Sequence, residues 1–387
     1  MPSYHQMGHD SRNLLYEANL EGYSGAILSP VNSGEAETRG TIDDPPREGF
    51  DFVFDPQLYF PNTVRGELPG WSYFPSDVDT ADHTSQVWWD RLLDELAACA
   101  IRLSPSGVCS PAIVPKVYGL EYYALCRDIA LRLAERLAQA GIQVLQTALV
   151  RFDDLSAPDA APAIASVLTA ADINRVYLVL SPDLHPRREL SEVEPLKGAY
   201  RLIRMLEESG TSVLVGYSSS DLAIWKAAGA RDVATGKFFN LRRFTPARWD
   251  LPPEGGGQLP YWFEEAMMAF LRTSDLLRIR DAGHLSPASQ ANPFAQQILD
   301  IVLAGSDAPW LALSWRQYLF WFADFERRAH AGQLDIASTL GYADEVWSDL
   351  DHRGVLMEER TNTGAWVRAW RRVLIEAPRP SVSENGA

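Results

Sequence analysis

The feature that most constrains this chain is an alternation running from 24 to 236, in which short apolar, β-branched runs are each followed by a longer stretch of helical period. Parallel strands need a long crossover, usually a helix, so the pattern predicts consecutive βα units around a parallel sheet. The first strands are expected at 25–29 and 50–55, each running straight into a proline, and a third at 112–118, weakened by Pro115, which has no amide to donate.

Helical stretches are expected at 82–103, capped at Asp79 or Thr80, and at 121–140, with Gly141 in the position that favours a left-handed cap. The alternation continues with strand 142–152, helix 158–171, strand 175–180, helix 192–209, strand 211–217 and helix 220–228. A seventh strand is expected at 230–236 and an eighth near 258–263. Seven or eight such units in this length match a parallel (β/α)8-type barrel; a doubly wound open parallel sheet is the alternative if the first and last strands do not pair.

Beyond 282 the strand pattern stops, and 310–330 and 354–375 read as helices rich in Trp and Arg. The expected organisation of the 387 residues is therefore a barrel domain over 1–283, a helical C-terminal region over 284–376 and a disordered tail over 377–387. Long polar connections at 33–49 and 252–260 are expected as loops.

A net charge of -16 repels phosphate backbones and anionic lipid, so nucleic acid is disfavoured as a partner, and no run is long and apolar enough to predict a membrane span. Cys99, Cys109 and Cys126 are an odd set without a CxxC pair, which suggests a reducing, cytoplasmic setting. Glycine-rich phosphate motifs, a GxSxG elbow and HExxH are all absent.

Parallel α/β proteins bind ligands at the carboxyl ends of their strands, so those positions carry the candidate chemistry. Asp55 leads, as an acid/base carboxylate or as the acceptor of an Asx turn; Asp183 and Lys116 complete the catalytic candidates, Lys116 as a Schiff-base former. Asp183 and His185, two residues apart, are a weak divalent-metal pair whose alternative is a cap beside an exposed histidine. Asn32, Gln57, Tyr59, Arg151 and Tyr217 are candidate substrate contacts, and Lys237, Arg242 and Arg243 would hold substrate charge unless Arg242, Arg243 and Arg248 pair with surface carboxylates. His5, His9 and Asp10 read as a solvated N-terminal arm.

These residues point to a barrel enzyme acting on a small anionic, phosphorylated or nucleoside-like substrate, by carboxylate acid/base or metal-assisted chemistry, as a hydrolase or glycosyl-type transferase. The alternative is a non-catalytic barrel that engages a protein partner, or another copy of itself, through its C-terminal helices. That alternative requires an exposed aromatic patch, whereas Trp315, Leu319 and Phe322 at helical spacing more simply pack a core.

Overall fold

Eight short parallel strands close on themselves: β1 (Ser3–Gln6), β2 (Gly25–Leu28), β3 (Asp51–Phe54), β4 (Gly107–Cys109), β5 (Gln143–Arg151), β6 (Arg175–Ser181), β7 (Ser212–Val215) and β8 (Asp232–Thr235). The computed structural model describes residues 3–79, 81–170, 172–251 and 258–377. Closure rests on β1, which pairs in parallel with β2 through Tyr4 and Gly25 and with β8 through Tyr4 and Ala234. The protein is a closed (β/α)8-type barrel with further helices at its C-terminal end, and the open-sheet alternative falls.

Three expectations about strands are corrected. Of the segment read as a solvated arm, His9 and Asp10 are exposed, but His5 belongs to β1: the polar sequence Ser-Tyr-His-Gln hides a strand whose Tyr4 and Gln6 fill the barrel interior, while His5 is buried facing Tyr23. The eighth barrel strand is the 230–236 segment, and 258–263 instead enters an antiparallel hairpin of β9 (Trp262–Glu264) and β10 (Ala269–Leu271). The fourth strand lies at 107–109, ahead of the expected 112–118, where Pro111 and Pro115 interrupt any ladder of donors.

Around the barrel stand α1 (Arg12–Leu15), α2 (Glu35–Asp43), α3 (Gln86–Leu103), α4 (Leu120–Leu137), α5 (Ala160–Leu168), α6 (Val193–Glu208) and α7 (Leu222–Ala227). α2 lies inside the connection expected to be loop. α3 starts later than its period suggests because Ser85, not Asp79, accepts the Trp88 amide as cap; Thr80 lies outside the described residues.

After the hairpin come α8 (Thr273–Asp281), α9 (Pro287–Gln290), α10 (Ala295–Leu303), α11 (Leu311–His330), α12 (Ile336–His352) and α13 (Ala365–Glu376). α11 packs against β1, α7 and the turn Ala18–Leu20, the place of the helix that would follow the eighth strand. Tyr23 donates to the Leu319 carbonyl at 2.9 Å, and Lys226 of α7 pairs with buried Glu326 of α11 at 3.0 Å. Trp310, Trp321, Trp347, Trp366 and Trp370 are all buried, so the tryptophans of this region pack the core. Nearly all of the expected tail, 378–387, and 252–257 of the expected loop lie outside the described residues.

The amino-terminal end of the barrel is plugged by charge. Arg175 reaches Tyr4 Oη at 2.8 Å and Asp232 Oδ2 at 3.1 Å, and Tyr4 also bonds Asp51. A concavity of about 930 Å³ opens beside this plug. Residues at that end of a barrel serve stability, so the carboxyl end remains the place to seek chemistry.

Candidate active site

β3 delivers Asp55 into the barrel mouth one residue after its last ladder position. Pro56 fixes the turn, and Gln57 takes a left-handed backbone (φ 52°) that brings its amide back to Asp55 Oδ1 at 3.0 Å. Tyr59 donates its hydroxyl to the other oxygen at 3.0 Å. The Asx turn expected as the alternative is therefore formed at Oδ1, and Oδ2 is held separately by Tyr59. Asp55 is 2% exposed, and burial raises its carboxyl from 3.8 to about 7, against the opposing pull of Gln57, Tyr59 and Arg248.

Around Asp55 lies a closed polar cluster. Gln6 of β1 accepts from Tyr177 of β6 at 3.2 Å, a contact between strands on opposite walls that places both side chains inside the barrel. Gly216 makes room for it: a Cβ there would sit 2.5 Å from the Tyr177 ring. Gln57 Oε1 lies 3.1 Å from Ser29 Oγ, and Tyr217, also left-handed at φ 53°, faces Gln57 without a well-formed hydrogen bond. Gln6 Nε2, Gln57 Nε2, Tyr217 Oη and Arg248 Nε are all buried without partners, an expensive state for so small a volume.

The connection after β8 folds over this cluster. Phe244 and Trp249 pack edge-on against Tyr59 at 5.2 and 5.1 Å, and the Trp249 carbonyl accepts from Thr63 at 2.7 Å. Between them Arg248 points inward, donating to Ser29 Oγ at 3.2 Å and Asn32 Oδ1 at 3.1 Å. Outside this cover a groove of about 460 Å³ runs between 182–186 and 245–248, with Asn240 and Arg248 in its wall.

The expected site residues divide sharply. Asp55, Asn32, Gln57, Tyr59 and Tyr217 converge on the mouth. Asp183 and His185 are exposed in the outer groove, separated from the cluster by Arg248, and Lys116 is exposed on the connection before α4. Arg151 is exposed beside Asp154, 3.9 Å away. No group of three or more His, Cys, Asp or Glu side chains among the described residues converges as a metal site, so Asp183 and His185 lack a third ligand of those types.

The three cations expected to hold substrate charge are engaged elsewhere. Lys237 is buried against the rings of Phe238 and Trp315, each 4.9 Å away. Arg242 stacks 3.7 Å from the Tyr318 ring centre and donates to the Gly236 and Lys237 carbonyls; burial lowers its guanidinium to about 10. Arg243 is clamped between Asp221 and Glu189, the latter at 3.0 Å. Glu189 also accepts from Ser219 and Ser220, and burial raises it to about 7 despite Arg243.

Arg248, Gln6, Ser29 and Tyr177 belong to the mouth and were not singled out as its contacts. Ser29 alone was visible as a strand-end residue; for Arg248 the cue was a lone cation between two aromatic residues further along the same connection.

Against known proteins, no family model matches the chain and no curated protein matches it. Solved structures do. One, from Anabaena variabilis and described as a sugar phosphate isomerase/epimerase, is 13% identical, with 66% of this chain and 92% of that one covered at a TM-score of 0.34. Another, a point variant of the O-GlcNAc hydrolase of Thermobaculum terrenum, is 11% identical, with 96% and 92% covered at 0.38. At such scores neither likeness assigns an activity. Among the described residues no helix is long and apolar enough to cross a membrane, and all three cysteines are buried free thiols.

Proposed function

We propose that this protein is an enzyme that transfers a proton to or from a small hydroxylated substrate held in the barrel mouth, with Asp55 as its general acid/base. The observation that carries this reading is a buried carboxyl at the carboxyl end of a barrel strand, raised to about 7 and ringed by unpartnered polar atoms. A group titrating near 7 is present in both forms at neutral pH, which suits a residue that must both give and take a proton.

Hydrolysis or glycosyl-type transfer fits this arrangement. As the C–O bond to the leaving group breaks, Asp55 would give its proton to the leaving oxygen, which departs as an alcohol; as water or an acceptor hydroxyl forms the new C–O bond to the same carbon, its proton would return to Asp55, while Tyr59 holds Oδ2 in line. Gln6, Gln57 and Tyr217 supply neutral hydrogen bonds of the kind that orient substrate hydroxyls. Because Phe244 and Trp249 cover the mouth, substrate entry requires the 244–249 segment to lift and its return would exclude water.

The test is a turnover screen of the purified protein against chromogenic glycosides and nucleosides, repeated with Asp55→Asn. A substrate whose turnover falls roughly 10²–10⁴-fold in the variant supports the assignment. Equal turnover by both proteins removes Asp55 from the mechanism.

A further inference from the structure

Arg248 is a buried cation without an ion-pair partner, on which Asp55 acts only from beyond contact distance. Its guanidinium is enclosed, its Nε has no partner, and among the described residues no carboxylate lies within 4.0 Å of it. Its two recorded acceptors, Ser29 Oγ and Asn32 Oδ1, are neutral. Removing a guanidinium from water without a counter-charge is costly, and burial accordingly pulls its pKa down. The neighbouring structural arginines are held more fully: Arg243 receives two carboxylates, and Arg242 stacks on Tyr318 and donates to two backbone carbonyls.

Arg248 also occupies the boundary between two spaces. Its inner edge touches the Asp55 cluster, and its outer side lines the groove of about 460 Å³. In that groove Asn240 Oδ1 is a second polar atom without a partner, and it can only accept. An incoming molecule therefore meets the Arg248 charge and the Asn240 side chain on one wall and the exposed Asp183 and His185 on the other.

We infer that Arg248 is the specificity residue of this site and that the substrate is a monoanionic hydroxy-carboxylate of the sugar-acid type, its carboxylate on the guanidinium and a hydroxyl on Asn240 Oδ1. This deepens the acid/base reading and rests on it for the location of the reacting end. Charge counting favours the carboxylate over phosphate. With Lys237, Arg242 and Arg243 committed elsewhere, Arg248 and the more distant Arg65 are set against the carboxylates of Asp183 and Asp55, so a monoanion is accommodated at lower cost than a phosphate dianion. The planar fork of arginine also matches a carboxylate edge to edge.

The experiment measures binding without turnover. Melting temperature is followed at constant ionic strength while wild type and Arg248→Met are titrated with D-glucuronate, D-glucose and D-glucose 6-phosphate. The expected result is a saturable rise with glucuronate that exceeds both other sugars, and at least a tenfold weaker response in Arg248→Met. The unliganded melting temperature of Arg248→Met is expected to equal or exceed that of wild type, since the variant removes an uncompensated charge.

A preference for glucose 6-phosphate, no response to glucuronate, an unchanged preference in Arg248→Met, or a variant much less stable than wild type would each overturn the inference. Arg248→Lys is a second variant that keeps the charge and loses the fork; it should retain part of the glucuronate response. A glucuronate response lost in Arg248→Met, alongside turnover unaffected by Asp55→Asn, would sink the acid/base reading and leave the anion site standing.

Discussion

Tyr59 donates its hydroxyl to Asp55 Oδ2 at 3.0 Å, and the same ring packs beneath Trp249 of the segment that covers the barrel mouth. Carboxyl, phenol and cover thus form one stack, so a change in any layer should be felt by the others.

Tyr59→Phe removes the hydrogen bond that favours the ionised carboxylate, so the Asp55 pKa should rise above about 7. The expected outcome is an upward shift of the pH at which Asp55 titrates, with a stability loss of about 1 kcal/mol. A pH–rate profile of the variant on any substrate found in the screen checks the shift.

Asp55 also makes stability depend on pH. Its folded pKa of about 7 lies above the ordinary 3.8, so between these values the folded state holds a proton that the unfolded chain has released. Its contribution to stability therefore falls as pH rises from about 4 to 7 and is fully unfavourable above 7. Asp55→Asn should melt higher than wild type at pH 8, by an amount worth a few kcal/mol, and the gap should close towards pH 4. Melting curves of both proteins across that range provide the check.

Arg243→Ala should behave unlike Arg248→Met. It strands Asp221 and Glu189 as buried carboxylates without their shared cation, a loss of roughly 3–5 kcal/mol. Chemical denaturation should show a lower midpoint for this variant, with the fold, not substrate preference, as the property affected.

Trp249→Ala removes the central ring of the cover, which contacts Tyr59, Phe60 and Phe244. A cost of about 3–5 kcal/mol is expected if the cover stays shut, and less if it simply opens. Hydrogen exchange should then show lost protection confined to the cover and the Tyr59 turn.

The barrel was legible because β5 and β6 carry long buried apolar runs with helices of clear period between them. β1 was not, since a four-residue strand whose Tyr4 and Gln6 point into a polar interior carries no apolar signal. The same logic divides the site. Asp55 stood out at the end of the apolar run Phe-Val-Phe, and its neighbours Gln57 and Tyr59 followed from the turn. The cluster of Lys237, Arg242 and Arg243 drew attention by charge density, but sequence does not show that two of them lie against aromatic rings and the third between carboxylates. Arg248 differs from them in facing both the mouth and the outer groove, which is a property of packing.

The most direct test is the titration of Asp55 itself, followed by carbon-13 NMR of aspartate carboxyls and assigned by the signal missing in Asp55→Asn. A midpoint near 7 that moves upward in Tyr59→Phe is the expected result; a midpoint near 4 would contradict the assignment of Asp55 as the proton-transfer group.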